Sequence, residues 1–257
     1  MKITVCELPN EPSKFSDAWA SLVQHVDDNQ SDLVLLPEMP FYRWLAQSRE
    51  VDPVEWRRAV EAHEEWIGRL GELRPAAVIS SRPVVSDGAR RNAGFYWEPG
   101  AGAVDVHEKR YLPDEPGFWE ASWYERGPAT FSLATIADAS VGFLICTELW
   151  FSHHAREYGE QGAHIIVCPR ATPTAKLSKW LAGGQTAAVV SGAFCISSNL
   201  AGRTSEGGDF AGVGWIAEPD QGIILGMTST DNPFLTLDVD LADAVRAKST
   251  YPRYVEE

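Results

Sequence analysis

The sequence lacks the features that mark metal, membrane and dinucleotide-binding proteins. Its four cysteines form no CxxC or cysteine–histidine spacing, so we expect no zinc site. No apolar run approaches the length of a membrane span, and the N-terminus lacks the basic segment and apolar core of a signal peptide. No GxGxxG follows a predicted strand and precedes a helix. We therefore expect a cytoplasmic protein that inserts into no membrane.

Positive charge is also scarce. Lysine and arginine together number 22 against 36 acidic residues, which gives a formal net charge of -14. A nucleic-acid-binding protein needs a basic face to neutralise phosphates, so we expect no nucleic-acid partner. Hydrophobic residues make up 44% of the 257 positions, and no linker or low-complexity segment divides them. We expect residues 1–257 to form a single domain.

Short apolar runs alternate with segments of helical periodicity. The helical pattern covers residues 15–26, 53–73 and 177–190, the last interrupted at Gly183 and Gly184, and the polar residues 152–161 are compatible with a helix. Predicted strands cover residues 3–8, 33–36, 76–81, 93–97, 103–106, 130–133, 141–145, 164–167, 193–197, 215–217, 223–225 and 234–239. This order predicts two related βα halves with antiparallel additions, which is a layered α/β fold with mixed sheets.

Three reactive side chains, Glu38, Lys109 and Cys146, each follow one of the predicted strands. Hydrolysis of an amide or nitrile can use these three groups: a thiolate attacks carbon, a carboxylate carries the proton, and a cation stabilises the charge on oxygen. Each residue also has a structural interpretation. Cys146 could be a small buried hydrophobe, Glu38 a cap or ion-pair partner, and Lys109 a surface lysine beside Glu108.

The segments around these residues resemble the motifs of the nitrilase superfamily of carbon–nitrogen hydrolases. The run LVLLPE, ending at Glu38, resembles the first-glutamate motif, and residues 146–151 (CTELWF) resemble the cysteine motif. Residues 107–120 (HEKRYLPDEPGFWE) resemble the lysine motif in the form of the N-carbamoylputrescine amidase branch. Asn199, Gly202 and the glycine-rich residues 207–214 resemble a later structural signature. The resemblance extends over nearly the whole chain.

The resemblance implies a nitrilase-like four-layer α-β-β-α sandwich. It implies that Glu38 is the general base, Cys146 the nucleophile and Lys109 the residue that stabilises the tetrahedral intermediate. It further implies that the backbone N–H of Thr147 completes an oxyanion hole. No metal and no organic cofactor are implied, and the short C-terminal tail favours a homodimer or higher homo-oligomer over a large spiral.

A second glutamate that holds the lysine is also implied. Alignment of the lysine motif places it at Glu120, and Glu115 is an alternative if the loop has a different register.

The substrate is less constrained than the chemistry. Arg170 could bind a substrate carboxylate or pair with an acidic side chain. Glu148, Trp150 and Trp119 are further candidates for substrate binding, although core packing explains the aromatic residues equally well. We expect cleavage of a small amide or N-carbamoyl compound through a cysteine thioester. The alternatives are a nitrilase, disfavoured because Thr147 replaces a typical tryptophan, and a catalytically silent binding protein.

Overall fold

The computed structural model describes residues 1–204 and 208–255. The helices within these ranges are α1 (Pro12–Asn29), α2 (Pro53–Ile67), α3 (Glu120–Trp123), α4 (Ser152–Glu160), α5 (Leu177–Ser191) and α6 (Leu241–Ala247). The strands are β1 (Lys2–Pro9), β2 (Leu33–Leu35), β3 (Ala77–Ser86), β4 (Ala89–Glu98), β5 (Gly102–Glu108), β6 (Ala134–Ile136), β7 (Ala139–Phe143), β8 (Ile165–Arg170), β9 (Phe194–Arg203), β10 (Asp209–Ala211), β11 (Trp215–Ala217), β12 (Ile224–Met227) and β13 (Phe234–Asp238).

The strands form two mixed sheets that join at the end of β1. Sheet A contains β1–β5 and β13, and sheet B contains β6–β12. The continuous order across both is β5-β4-β3-β2-β1-β9-β8-β7-β6. The first half of β1 pairs in parallel with β2, and its last residues, from Glu7 to Pro9, pair in parallel with β9. The strands of the first predicted half therefore form sheet A and those of the second half form sheet B, except that β13 returns to pair with β1 in sheet A.

Alternating side chains on the central strands place these sheets back to back. Ile3 and Val5 of β1 share one buried core with Ile165 of β8, which fills the space between the sheets. Leu8 faces the other way and packs in the core under α1, while Ile166 packs in the core that contains Ala155 of α4. Successive residues of a strand point to opposite faces, so each sheet is covered on both sides. The result is the four-layer α-β-β-α sandwich that the resemblance implied, and it agrees with the layered α/β fold predicted from the order of the elements.

The start of α2 shows how local chemistry sets the ends of these elements. The Asp52 carboxylate accepts a hydrogen bond from the Val54 N–H at 2.7 Å, which satisfies one of the free donors of the first turn. Pro53 occupies the first helical position, where no N–H is needed. No helix of the described residues is long and apolar enough to cross a membrane.

Several predicted elements differ from the structure. Residues 130–133 were wrongly predicted as a strand, because β6 lies just beyond them. Helix α5 continues through Gly183 and Gly184, where the missing side chains make room for tryptophans: a Cβ on Gly184 would lie 2.6 Å from Nε1 of Trp215. Helix α6 was not predicted, since its seven residues are too few for a clear period. Gly207, which begins the glycine-rich signature, lies outside the described residues.

Candidate active site

Four buried polar side chains meet at one edge of the sheets. Glu38 lies three residues after β2, Lys109 directly after β5, and Cys146 three residues after β7, while Glu120 is the first residue of α3. Glu38, Lys109 and Glu120 are fully buried, and Cys146 is 4% exposed. Strands β2, β5 and β7 run in the same direction, so their carboxyl ends lie at the same edge. The sheet order therefore explains how residues distant in sequence come together.

Lys109 is held by two carboxylates. Its Nζ donates to Oε1 of Glu38 at 2.7 Å and to the two carboxylate oxygens of Glu120 at 2.8 and 2.6 Å. An ammonium group has three donors, and all three point at these oxygens. Glu115, the alternative to Glu120, is exposed and pairs instead with Lys176 at 3.0 Å. The geometry thus gives Lys109 a fixed position and makes Glu120 the second glutamate beside it.

The two oxygens of Glu38 have different surroundings. Oε1 accepts from Lys109 and also from Nδ2 of Asn92 at 2.7 Å. Oε2 is buried and has no hydrogen-bond partner among the described residues. A carboxylate oxygen without a donor retains its capacity to take a proton. Glu38 is therefore held through one oxygen and chemically available through the other.

Asn92 is a site residue that the sequence did not reveal. It lies in β4, one residue before the predicted start of that strand. Its backbone carbonyl accepts a hydrogen bond from the backbone N–H of Lys109 at 2.8 Å. One residue thus positions both the glutamate and the lysine. The signal that could have identified it is a buried amide directly before the apolar run of residues 93–97.

Cys146 begins a 3-10 helix, Cys146–Trp150, and has φ +50°. This left-handed conformation is uncommon for a residue other than glycine and is often found where function fixes the backbone. Burial raises the pKa of the Cys146 thiol well above its usual value, Glu38 adds to the effect, and Lys109 opposes it. The thiol is therefore protonated at neutral pH and needs a base at the moment of attack.

Lys109 and Glu120, which contact each other, both have shifted pKa values. Burial opposes the charge on Lys109, but Glu120 and Glu38 outweigh it and raise the lysine pKa well above its usual value. Burial raises the pKa of Glu120 to about 8, with Lys109 opposing the shift and Glu38 reinforcing it. Two carboxylates around one ammonium leave one excess negative charge. The cluster therefore retains a proton near neutral pH, and that proton belongs to the group as a whole.

Glu148 connects the segment that carries the lysine to the segment that carries the cysteine. Its Oε1 accepts the Arg110 N–H at 2.8 Å, and its Oε2 accepts the Ile145 N–H at 2.9 Å and lies 2.7 Å from Nε2 of His107. Arg110 follows the lysine directly, and Ile145 directly precedes the cysteine. The fully buried carboxylate thus bridges the two segments, and both of its oxygens are occupied within the chain.

A cleft of about 530 Å³ adjoins the turn that carries the thiol. Its lining includes Thr147, which follows the cysteine directly. The other lining residues are 111–115, 126, 150, 151, 176, 179 and 180. Trp150 lies in this cleft with 45% of its surface exposed. Of the predicted substrate-binding residues, Trp150 is therefore the one at the cleft surface. A second cleft of about 540 Å³, beside Arg43, contains none of the predicted site residues.

Arg170, at the buried end of β8, is not among the residues that line the cleft, and its guanidinium lies 5.5 Å from the ring centre of Trp180, which does line it. Its guanidinium donates to Ser197 Oγ, Thr172 Oγ1 and the Val213 carbonyl, each at 2.7 Å, and it lies 3.9 Å from the ring centre of Trp215. Burial lowers the pKa of Arg170 to about 10, so the group remains charged at neutral pH. The contacts within the chain fix this guanidinium, and its predicted role in substrate binding stays a prediction.

Trp119 also lies outside the cleft lining. It is half-buried, its backbone N–H donates to the Ala46 carbonyl at 2.7 Å, and the guanidinium of Arg49 lies 4.9 Å from its ring centre. It directly precedes Glu120, so its backbone fixes the start of α3 next to the lysine.

The carbon-nitrogen hydrolase family model matches residues 2–249. Among curated relatives, a citrullinase from Francisella tularensis is 25% identical over 178 residues, which cover 66% of this chain and 61% of that protein. An N-carbamoylputrescine amidase from Solanum lycopersicum is 22% identical over 156 residues, covering 58% of this chain and 51% of that protein. The matched region thus spans between half and three fifths of these relatives.

Two solved structures show the same fold. A carbon-nitrogen hydrolase from Helicobacter pylori G27 has a TM-score of 0.86 at 20% identity, covering 98% of this chain and 94% of that chain. An amidase from Nesterenkonia sp. AN1 carries the acetamide moiety of fluoroacetamide covalently added at its active-site cysteine. It has a TM-score of 0.77 at 18% identity, covering 96% of this chain and 92% of that chain.

Proposed function

Since the chain belongs to the carbon–nitrogen hydrolase family, we propose that it cleaves a non-peptide C–N bond of a small amide or N-carbamoyl compound. The reaction proceeds through a thioester on Cys146. The observation that carries this proposal is the buried cluster in which Lys109 joins Glu38 to Glu120 while one oxygen of Glu38 remains without a partner. The family match over residues 2–249 supports one catalytic domain.

Attack begins with proton transfer from the thiol to Oε2 of Glu38. The resulting thiolate of Cys146 adds to the carbonyl carbon, and the carbonyl oxygen takes the negative charge. Lys109 and the backbone N–H of Thr147 stabilise this oxyanion. Protonation of Glu38 removes the charge that attracts one of the lysine donors. That donor is then free to turn towards the oxyanion at the moment when the negative charge appears there.

Collapse of the tetrahedral intermediate breaks the C–N bond. Glu38 returns its proton to the departing nitrogen, so ammonia or an amine leaves and a thioester remains on Cys146. In the second half, Glu38 takes a proton from water, and the hydroxide adds to the thioester carbon. The thiolate then leaves, recovers the proton from Glu38, and releases the acid. Glu120 keeps Lys109 in place throughout.

The test is ammonia release from a panel of primary amides, ureido compounds and nitriles. We expect turnover of amides or ureido compounds that disappears in Cys146→Ala. Cys195→Ala is the matched control, because Cys195 is equally buried in β9 and lies outside the cluster. Turnover restricted to nitriles would indicate a nitrilase. A folded wild-type protein inactive on the whole panel, or a fully active Cys146→Ala variant, would overturn the proposal.

A further inference from the structure

The cleft beside Thr147 is rich in positive charge although the chain as a whole is acidic. Its charged lining residues are Arg126, Lys176, Lys179, Asp114 and Glu115, three cations against two anions. The whole chain has 36 acidic residues against 22 basic ones. A cleft whose charge differs in sign from that of the surrounding surface attracts ligands of the opposite charge, because its walls concentrate the field.

The two anions of the cleft are already paired. Glu115 pairs with Lys176 at 3.0 Å, and Asp114 lies 3.8 Å from Arg49, which is not part of the lining. Arg126 and Lys179, in contrast, have no ion-pair partner among the described residues. Both side chains are exposed, so a ligand in the cleft can reach them. The unbalanced charge of the cleft is therefore carried by these two residues.

The same wall carries a donor without an acceptor. Trp180 lines the cleft next to Lys179, is 6% exposed, and its indole N–H has no hydrogen-bond partner among the described residues. An indole N–H can only donate. A buried donor without a partner costs free energy, which an acceptor on a bound molecule would recover after a small adjustment of the wall.

We propose that this cleft binds a carboxylate of the substrate, remote from the scissile C–N bond, through Arg126 and Lys179. This inference rests on the proposed hydrolase function and names its substrate class: acids that carry a primary amide or ureido group. The guanidinium of Arg126 can hold a carboxylate through two parallel hydrogen bonds, and Lys179 adds a second positive charge. Substrates with a cationic end are disfavoured, because they would meet two like charges in the same cleft.

The first experiment compares substrates of equal shape and different charge. The amide set is succinamate, butyramide and β-alaninamide, and the ureido set is β-ureidopropionate, propylurea and aminoethylurea. We expect kcat/KM for the anionic member to exceed that for the neutral member about tenfold, the sum of two exposed charge pairs. The cationic member should be the poorest. The preference should shrink as salt rises, because both side chains are exposed to solvent.

The second experiment assigns the preference to the two residues. The double variant Arg126→Gln/Lys179→Gln should lower the ratio of anionic to neutral kcat/KM by about tenfold, since it removes both charge pairs. The control Lys14→Gln/Arg57→Gln changes the net charge equally on α1 and α2, outside the cleft, and should keep the ratio. A merely structural effect of the first variant would lower all rates together and leave the ratio intact.

Equilibrium binding separates this inference from the proposed function. Cys146→Ala is titrated calorimetrically with both sets and with the longer acids glutaramate and adipamate. Tighter binding of acids than of neutral analogues supports the carboxylate site even if wild type turns nothing over, in which case the hydrolase proposal fails alone. Turnover without any preference for acids would overturn the inference and leave the hydrolase intact. Equal binding of acids and neutral analogues, or no binding, would also overturn it.

Discussion

Replacing Glu148 with glutamine tests whether one buried carboxylate sets the geometry of the active site. The Glu148 oxygens accept the N–H groups of Arg110 and Ile145 and contact His107. A glutamine side chain has the same shape but one oxygen and one NH2 group. Whichever way the amide turns, its NH2 group faces at least one of the two backbone N–H donors. That donor then loses its acceptor next to a side chain that is fully buried.

The magnitude follows from these contacts. An unsatisfied buried N–H costs about 1–3 kcal/mol, and the remaining hydrogen bonds weaken because the acceptor is no longer charged. We expect Glu148→Gln to lower the free energy of unfolding by about 3 kcal/mol. The donors flank the lysine and the cysteine, so a displacement approaching 1 Å should lower kcat by about 100-fold. KM should change little, because Glu148 is not part of the cleft lining.

The assay is amide hydrolysis over a range of substrate concentrations, with urea unfolding to confirm that the variant is folded. Glu218→Gln is the matched control. Like Glu148, Glu218 accepts backbone N–H groups through both oxygens, in its case three, from Asp220, Gln221 and Ile223, but it lies in the turn between β11 and β12. If Glu148→Gln keeps kcat as well as Glu218→Gln does, the positioning role assigned to Glu148 is wrong.

Three further perturbations test other parts of the account. Gly127→Ala should lower the free energy of unfolding by about 1–3 kcal/mol and reduce kcat, because the added Cβ would lie 2.1 Å from the backbone carbonyl oxygen of Glu108, the residue before Lys109. Urea unfolding measures the first effect and amide turnover the second, and wild-type values in both assays would contradict this prediction. Burial lowers the pKa of His63 from 6.5 to about 4, so the unfolded chain binds a proton that the folded chain does not, and stability is lost as pH falls through this window. The loss of stability should total about 3 kcal/mol. The urea midpoint should fall less steeply with decreasing pH in His63→Gln than in the wild type, and an equal fall in the two proteins would exclude His63 as the cause. The pKa of Glu120 is raised to about 8, so wild-type kcat/KM should rise with pH as the cluster loses its proton, and Glu120→Gln should move that rise to lower pH; an unmoved profile would show that the proton does not belong to the cluster.

The sequence predicted which candidate residues the fold brings together, but not the groups that hold them. Glu38, Lys109 and Cys146 each follow a strand within a recognisable motif, and the sheet order brings them to one edge. Asn92 was missed because the predicted strand began at residue 93, one residue after it and four residues after the actual start of β4. The bridging role of Glu148 depends on backbone N–H groups, which any residue type supplies, so no sequence pattern marks it.

The layered fold was predictable because each central strand is apolar on both faces. The charge of the cleft could not be predicted from the sequence, because it depends on which charged side chains remain without an ion-pair partner after folding. Glu115 and Lys176 are separated by 61 positions, and only the folded chain shows that they neutralise each other. The continuity of α5 was hidden for a similar reason: its two glycines look like a break until the tryptophan packed against Gly184 is known.

The central claim is that Cys146 carries the acyl group during hydrolysis. Its most direct test is intact-protein mass spectrometry of the wild type, acid-quenched during turnover of an amide that releases ammonia, followed by peptide mapping. The account predicts one acyl group, located on Cys146, that disappears at the turnover rate once substrate is exhausted. Turnover at the wild-type rate in Cys146→Ala, or an acyl group mapped to Cys168 instead, would contradict it.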